Sequence, residues 1–312
     1  YGTISSLVAI EFLQSGMTAF AAGPIMGEVS ITPEDFSLIA AVYASLAILV
    51  ISMQRWFVEW LGGRRFIQYA TAVSAAGSAL CATSHDFNTF LVGRAVMALG
   101  VGALFTSARM IIHHMLAGPR RFTGIRFLAT TLALSTAAAP WLAAQAVSNE
   151  TWSAIYWLLA ALSVAACILA GMTLSAEPLA NAEQRSHWDP LQQFMLVGGS
   201  FVLLYSLQRL YYDFYSNVAY IALALFAAAL ALLIYARSQH REERPLLHIR
   251  RMLHMRYVAG MGLFLFAYIM LGANNYVIPM MLQRTLGYSW DTVGYFEALG
   301  LGVTVVTFTV LA

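Results

Sequence analysis

Lysine is absent from this chain: all 17 basic residues are arginine, set against 15 acidic ones. Charge of either sign is scarce, at 10% of residues, where a soluble domain carries roughly 25%. The net charge of +2, spread over arginines in short loops, excludes a nucleic-acid surface. Cysteine is nearly missing too. Cys81 and Cys167 lie in apolar runs without CxxC or Cys/His spacing, so they read as small buried hydrophobes and leave the redox compartment open. No nucleophile–base set, metal cluster or phosphate-cradling loop is present, so neither an enzyme nor a cofactor is expected. A cleavable signal is also missing, because the first apolar stretch is too long and has no basic flank.

What the chain has in abundance is apolar sequence. Of its 312 residues 60% are hydrophobic, and the mean hydropathy of +0.70 places it in the membrane class. A spanning helix takes about 20 apolar residues, and ten such stretches can be read: 4–27, 36–54, 66–84, 88–111, 124–147, 153–175, 191–209, 216–236, 257–282 and 292–312. The expected fold class is an all-α polytopic membrane protein. The missing initial Met and the apolar end predict a piece of a longer protein. With the N-terminus inside, fourteen arginines fall in inner loops or helix ends, whereas only Arg209 and Arg284 fall outside and Arg94 lies within a helix. That asymmetry predicts a cytoplasmic N-terminus.

The loops divide the chain. Outer loops are short, as in "VSNETW", where the glycosylation acceptor pattern at Asn149 reads as chance. The inner segment "SAEPLANAEQRSHWDP" ends a six-helix block, 1–175. Residues 176–240 then hold this linker and two additional helices. Residues 241–312 hold a second inner loop, "RSQHREERPLLHIRRMLHMR", and two more helices.

One helix carries an anomaly. Glu11, Gln14, Ser15 and Thr18 sit at i, i+3, i+4 and i+7, so they form one polar stripe in an apolar run. A carboxylate at membrane depth is costly and marks a functional site, here a proton-binding group facing a cavity. The bland reading is a solvated or paired acid near the cytoplasmic end. Arg94 is the leading charge partner: helical rise places Glu11 roughly 10 Å from the inner surface and Arg94 roughly 9 Å from the outer one. The remaining gap of about 10 Å is within reach of two long side chains.

Other candidates follow. Asn274 and Asn275 in "GANNYVIP" are candidates for the substrate pathway, with interhelical bonding as the alternative. Glu297 is a weaker candidate acid. His113 and His114 are adjacent on a helix and point to different faces, so no metal site is expected. Trp141, Tyr43 and the many other aromatics read as packing rather than as a drug-binding cage.

Several segments resemble the major facilitator superfamily, in particular its fourteen-helix drug:proton antiporter branch. "WFVEWLGGRR" (56–65) resembles the gating motif G-x-x-x-D-x-x-G-R-R/K: Gly63, Arg64 and Arg65 match, Trp56 and Trp60 replace the first Gly and the Asp, and Glu59 lies one residue early. "GRAVMALGVGA" (93–103) resembles R-x-x-Q-G-x-G, with Arg94 matching and Met97 in place of Gln. "STAAAPWLAA" (135–144) resembles the antiporter pattern G-x-x-x-G-P-x-x-G-G, keeping Pro140 and placing Ser135, Ala139, Ala143 and Ala144 where the family has glycines. "RPLLHIRRM" (244–252) and "LGYSWDTVG" (286–294) also look like this branch. The family's helix 1 acid, counted back from Pro24, would fall at Ser15, one turn from Glu11.

The resemblance implies two six-helix bundles rocking around a midplane site, of which this chain would hold the first, the two inserted helices and the opening pair of the second. It implies alternating access, with Glu59, Gly63, Arg64, Arg65 and Pro140 in gating and Glu11 and Arg94 in proton coupling. Gln14, Ser15, Thr18, Asn274 and Asn275 would line the pathway. The expected function is proton-coupled export of amphipathic or cationic small molecules from a bacterial inner membrane. The partners are substrate, protons and bilayer, with a periplasmic adaptor as a further candidate. A transporter of another substrate class and a non-transporting scaffold or sensor stay open as alternatives.

Overall fold

The computed structural model describes all residues except 116–117, 150, 175–185, 187, 243–244, 248 and 312, and the side chains of 114–115, 119, 214–216, 250–251 and 308–311. Most of the segment 175–190, with Arg185, therefore lies outside the described residues, as do Arg244, His248, the side chain of His114 and Glu150 of the "NET" pattern. The described residues form helices α1 (Gly2–Phe20), α2 (Ala22–Glu28), α3 (Pro33–Leu61), α4 (Gly63–Ala82), α5 (Phe87–Val101), α6 (Leu104–Met115), α7 (Pro119–Ser148), α8 (Ser153–Thr173), α9 (Pro190–Arg241), α10 (Ile249–Met252), α11 (Met255–Met280) and α12 (Trp290–Leu311). A π-helical turn, Met281–Thr285, extends α11. The protein is all-helical.

Among the described residues, seven helices are long and apolar enough to cross a membrane, or eight if the bent α1–α2 pair is one span. Helices α4 and α12 occupy two of the ten expected stretches without being among them. Helix α4 carries Arg64, Arg65, Gln68, Thr71, Ser74 and Ser78, and it tolerates this polarity because it packs between α5 and α8. There Ser74 and Ser163 hydroxyls share a hydrogen bond of 2.9 Å.

Two expected helices are broken. The first bends by 68° at Ala21, where Pro24 has no N–H to give the Phe20 carbonyl and its ring crowds that carbonyl. The stretch expected at 88–111 divides at Gly102–Ala103 into α5 and α6. A Cβ on Gly102 would lie 2.7 Å from Ala47 Cα, so glycine lets the break approach α3. Upstream, Asp86 caps α5: the hydroxyl and the backbone N–H of Thr89 donate to it and hold its carboxyl below the usual range.

Helix α9 contains both of the stretches expected at 191–209 and 216–236. It reverses at Asn217, whose φ of −136° and ψ of 32° leave the helical region. Its two halves run antiparallel, Gly199 lying against Leu232 while Gln239 Nε2 donates to Gln192 Oε1 at 2.6 Å. The hairpin packs on α3. Ser52 donates to Gln193 Oε1 at 3.0 Å near one end, and Arg209 pairs with Glu34 at the other.

Among the described residues, the buried apolar core runs from Ile4 to Leu174 and takes Val293 from the later helices, with Leu282 and Trp290 packed against it. Helix α7 joins it to α12. A Cβ on Gly16 of α1 would lie 2.6 Å from Ala139 Cβ, and one on Gly294 of α12 would lie 2.9 Å from the Pro140 carbonyl oxygen, beside Ala144. Ser135, Ala139, Ala143 and Ala144 are all buried. The small residues at the expected glycine positions thus serve close helix approach on two sides of α7.

Candidate functional site

A cleft of about 320 Å³ opens between α1, α3, α7 and α11, and Glu11, Gln14, Ser15, Tyr43, Thr136, Tyr268, Asn275 and Tyr276 line it. Three members of the polar stripe therefore share one wall, as their helical spacing predicts. The fourth departs. Thr18 is buried and shares a 3.4 Å hydrogen bond with the Tyr156 hydroxyl on α8, away from the cleft.

Glu11 does not meet Arg94. Its Oε2 accepts the Phe105 N–H at 2.7 Å, one of the N–H groups that the break at Gly102–Ala103 leaves free at the start of α6. A carboxylate at a helix N-terminus is favoured by those N–H groups and by the helix dipole. Arg94, 7% exposed, donates instead from Nη1 to Gln14 Oε1 at 3.0 Å. Its guanidinium lies 4.3 Å from the Tyr43 ring centroid, and Gln14 Nε2 donates to the Tyr43 hydroxyl at 2.7 Å. The Glu11–Arg94 contact that helical rise left open is not made, for two reasons. Gln14 lies one turn nearer the level of Arg94, and Glu11 has a closer donor in a backbone N–H.

The adjacent asparagines separate. Asn275 lines the cleft and its Oδ1 is buried without a partner among the described residues, whereas Asn274 is exposed and outside the lining. Glu297 on α12 is 6% exposed and its Oε1 likewise has no partner among the described residues. Trp141 is 45% exposed on the outside of α7 and walls no cage. His113 contacts Arg121, and no metal-holding group of His, Cys, Asp and Glu exists among the described residues.

Near the C-terminal end of α3, Glu59 is 7% exposed and serves a loop rather than the motif arginines. Its Oε2 accepts the backbone N–H and the hydroxyl of Ser186, each at 2.6 Å, and its Oε1 accepts Arg55 Nε at 2.7 Å. Arg55 also donates to the Pro245 carbonyl at 3.4 Å, and Trp56 packs on Trp188 with ring centroids 5.6 Å apart. Arg64 is partly buried near Gly171 of α8, and Arg65 is exposed. The turn between α3 and α4 needs Gly62 at φ 81°, with Gly63 buried behind it.

A family model described as Major Facilitator Superfamily matches residues 4–312. The chain belongs to that superfamily. Among curated relatives of this superfamily member, the uncharacterized MFS-type transporter YhcA of Bacillus subtilis is 19% identical over 267 residues, 85% of this chain and 49% of that protein. The lincomycin resistance protein LmrB of Listeria innocua is 20% identical over 225 residues, 72% of this chain and 47% of that one. The MFS-type efflux transporter ffsH of Aspergillus flavipes is 26% identical over 151 residues, covering 47% and 27%. This superfamily chain thus spans about half, or less, of the length of these relatives. The crystal structure of the peptide transporter POT in complex with sulfate shares the fold, with a TM-score of 0.63 at 17% identity over 96% of this chain and 64% of that one.

The signals that sequence reading missed are tertiary. Phe105 contributes a backbone N–H, Ser186 a hydroxyl in a loop, and Tyr268 and Tyr276 rings brought over by α11. Gly100 and Gly102 are the local signals nearest the break that exposes Phe105.

Proposed function

We propose that this facilitator superfamily member is a proton-coupled exporter of amphipathic or cationic small molecules, working by alternating access in a bacterial cytoplasmic membrane with its N-terminus inside. The observation that carries the reading is Glu11 lining an aromatic-walled cleft, with one carboxylate oxygen held by Phe105 and the other given no donor among the described residues. A substrate cation and a proton would compete for that oxygen. Gln14, Arg94 and Tyr43 form the buried network that fixes the wall behind it. Glu59, Gly63, Arg64, Arg65 and Pro140 act in gating: Glu59 ties the first inner loop to α3, while the Pro140 carbonyl lies against Gly294. Relatives named for efflux and for lincomycin resistance support the direction of transport.

The Phe105 bond favours a second reading, in which Glu11 is only the cap of α6. Glu11→Gln separates the two, because a glutamine carbonyl still accepts the Phe105 N–H and cannot carry a proton at neutral pH. The expected result is a folded full-length variant in proteoliposomes that no longer moves substrate under a proton gradient. Unchanged proton-driven efflux would assign Glu11 to capping, and absence of any flux in the unaltered full-length protein would favour a scaffold.

A further inference from the structure

Between Asp86 and Glu150 the sequence holds five arginines and no acidic residue. Arg94 is buried, and the others gather where two apolar helical runs adjoin. Arg109 lies one turn before the end of the run Phe87–His113, and Arg120 and Arg121 open the next, Arg120–Ser148. His113, one turn after Arg109 on the same face of α6, contacts Arg121. Arg109, Arg120 and Arg121 therefore share one membrane boundary, and all three are exposed. Tyr1 fixes the start of α7: its hydroxyl donates to the Arg120 carbonyl at 3.3 Å, and its ring stacks on Phe127 with centroids 4.9 Å apart.

Elsewhere the chain answers its own arginines. Arg55 meets Glu59, and Arg209 meets Glu34 and Asp213. Arg109, Arg120 and Arg121 meet no carboxylate among the described residues. The acids flanking these two runs stand at their opposite ends, where Asp86 caps α5 and Asp291 accepts from Gln145 and Ser148. The first turn of α7 holds no acid, and two cations there oppose the helix dipole. We propose that this boundary binds an anionic phospholipid, its phosphate held between Arg109 of α6 and the Arg120–Arg121 pair of α7. Guanidinium groups match phosphate oxygens in bidentate pairs. The exposed side chains of Phe122 and Ile125 offer the acyl chains an apolar surface beside the arginines. A zwitterionic lipid carries its own ammonium and brings no net charge to the site.

The full-length protein in detergent is titrated with dioleoylphosphatidylglycerol or dioleoylphosphatidylcholine, which share acyl chains, and bound lipid is counted by native mass spectrometry. The anionic lipid is expected to bind at least about tenfold more tightly, at about fivefold for each arginine it meets. Arg120→Gln combined with Arg121→Gln is expected to lose most of that preference, and Arg109→Gln, on the neighbouring helix, to lose about fivefold. Arg237→Gln combined with Arg256→Gln removes the same charge from exposed positions on α9 and α11 and is expected to keep it. Inorganic phosphate at millimolar concentration, the same anion without acyl chains, is expected not to displace the lipid. Equal binding of the two lipids overturns the proposal, as does a preference that survives loss of the α7 pair or of Arg109. An equal fall in both double variants would reduce the effect to net charge and overturn it too. Displacement by phosphate would make the patch a general phosphate site and end the lipid assignment.

Discussion

Helices α1 and α11 face each other across the cleft, and both are apolar runs interrupted by a few polar residues. Their packing is opposite. Ten of the 19 residues of α1 are buried, whereas of the 26 residues of α11 only Pro279 is. Glycine marks the difference: a Cβ on Gly16 of α1 would meet Ala139, while one on Gly260, Gly262 or Gly272 of α11 would meet nothing within 4 Å. Hydropathy therefore reports the solvent a helix tolerates, and close packing is set by where a small residue meets another small residue. One wall of the cleft is built into a core and the other is only laid against it.

The contrast can be broken most forcefully at the glycines. Gly16→Leu should cost about 3 kcal/mol or more by overpacking against Ala139, whereas Gly272→Leu on α11 should change stability by less than about 0.5 kcal/mol; thermal unfolding in detergent compares the two. A smaller effect is expected from the buried amide. Gln14→Leu strips an acceptor from the Arg94 guanidinium and a donor from Tyr43, at about 2 kcal/mol, while Asn274→Leu on α11 should be close to neutral. The smallest sharpens the role of Glu11. Glu11→Leu should cost about 1 kcal/mol through loss of the α6 cap, and Glu11→Gln should recover most of it. An equal loss in both would mean that the charge, not the acceptor, holds α6.

The architecture was largely legible in the sequence because helix length and apolar content are local properties. All ten expected stretches are helical, and those expected at 191–209 and 216–236 pair as a hairpin. The bend at Ala21 was written in Pro24, whose missing N–H is a local signal that apolar content alone does not reveal. The site was half legible. Spacing placed Glu11, Gln14 and Ser15 on one face, because a helix fixes that geometry by itself. It could not say that Thr18 leans into Tyr156, nor which of Asn274 and Asn275 faces inward, since neighbours about 100° apart on a helix are sorted only by what packs there. Nor could it pair Glu59 with Ser186, 127 residues away across a loop.

The small face of α7 has a genetic consequence. Where Gly16 meets Ala139, and where Gly294 meets Pro140 and Ala144, space is shared between two chain segments, so a methyl group can be relocated but not added. Substitutions there should be epistatic. Gly16→Ala should be tolerated beside Ala139→Gly and damaging without it, so each position alone would read as intolerant although the pair is free to drift.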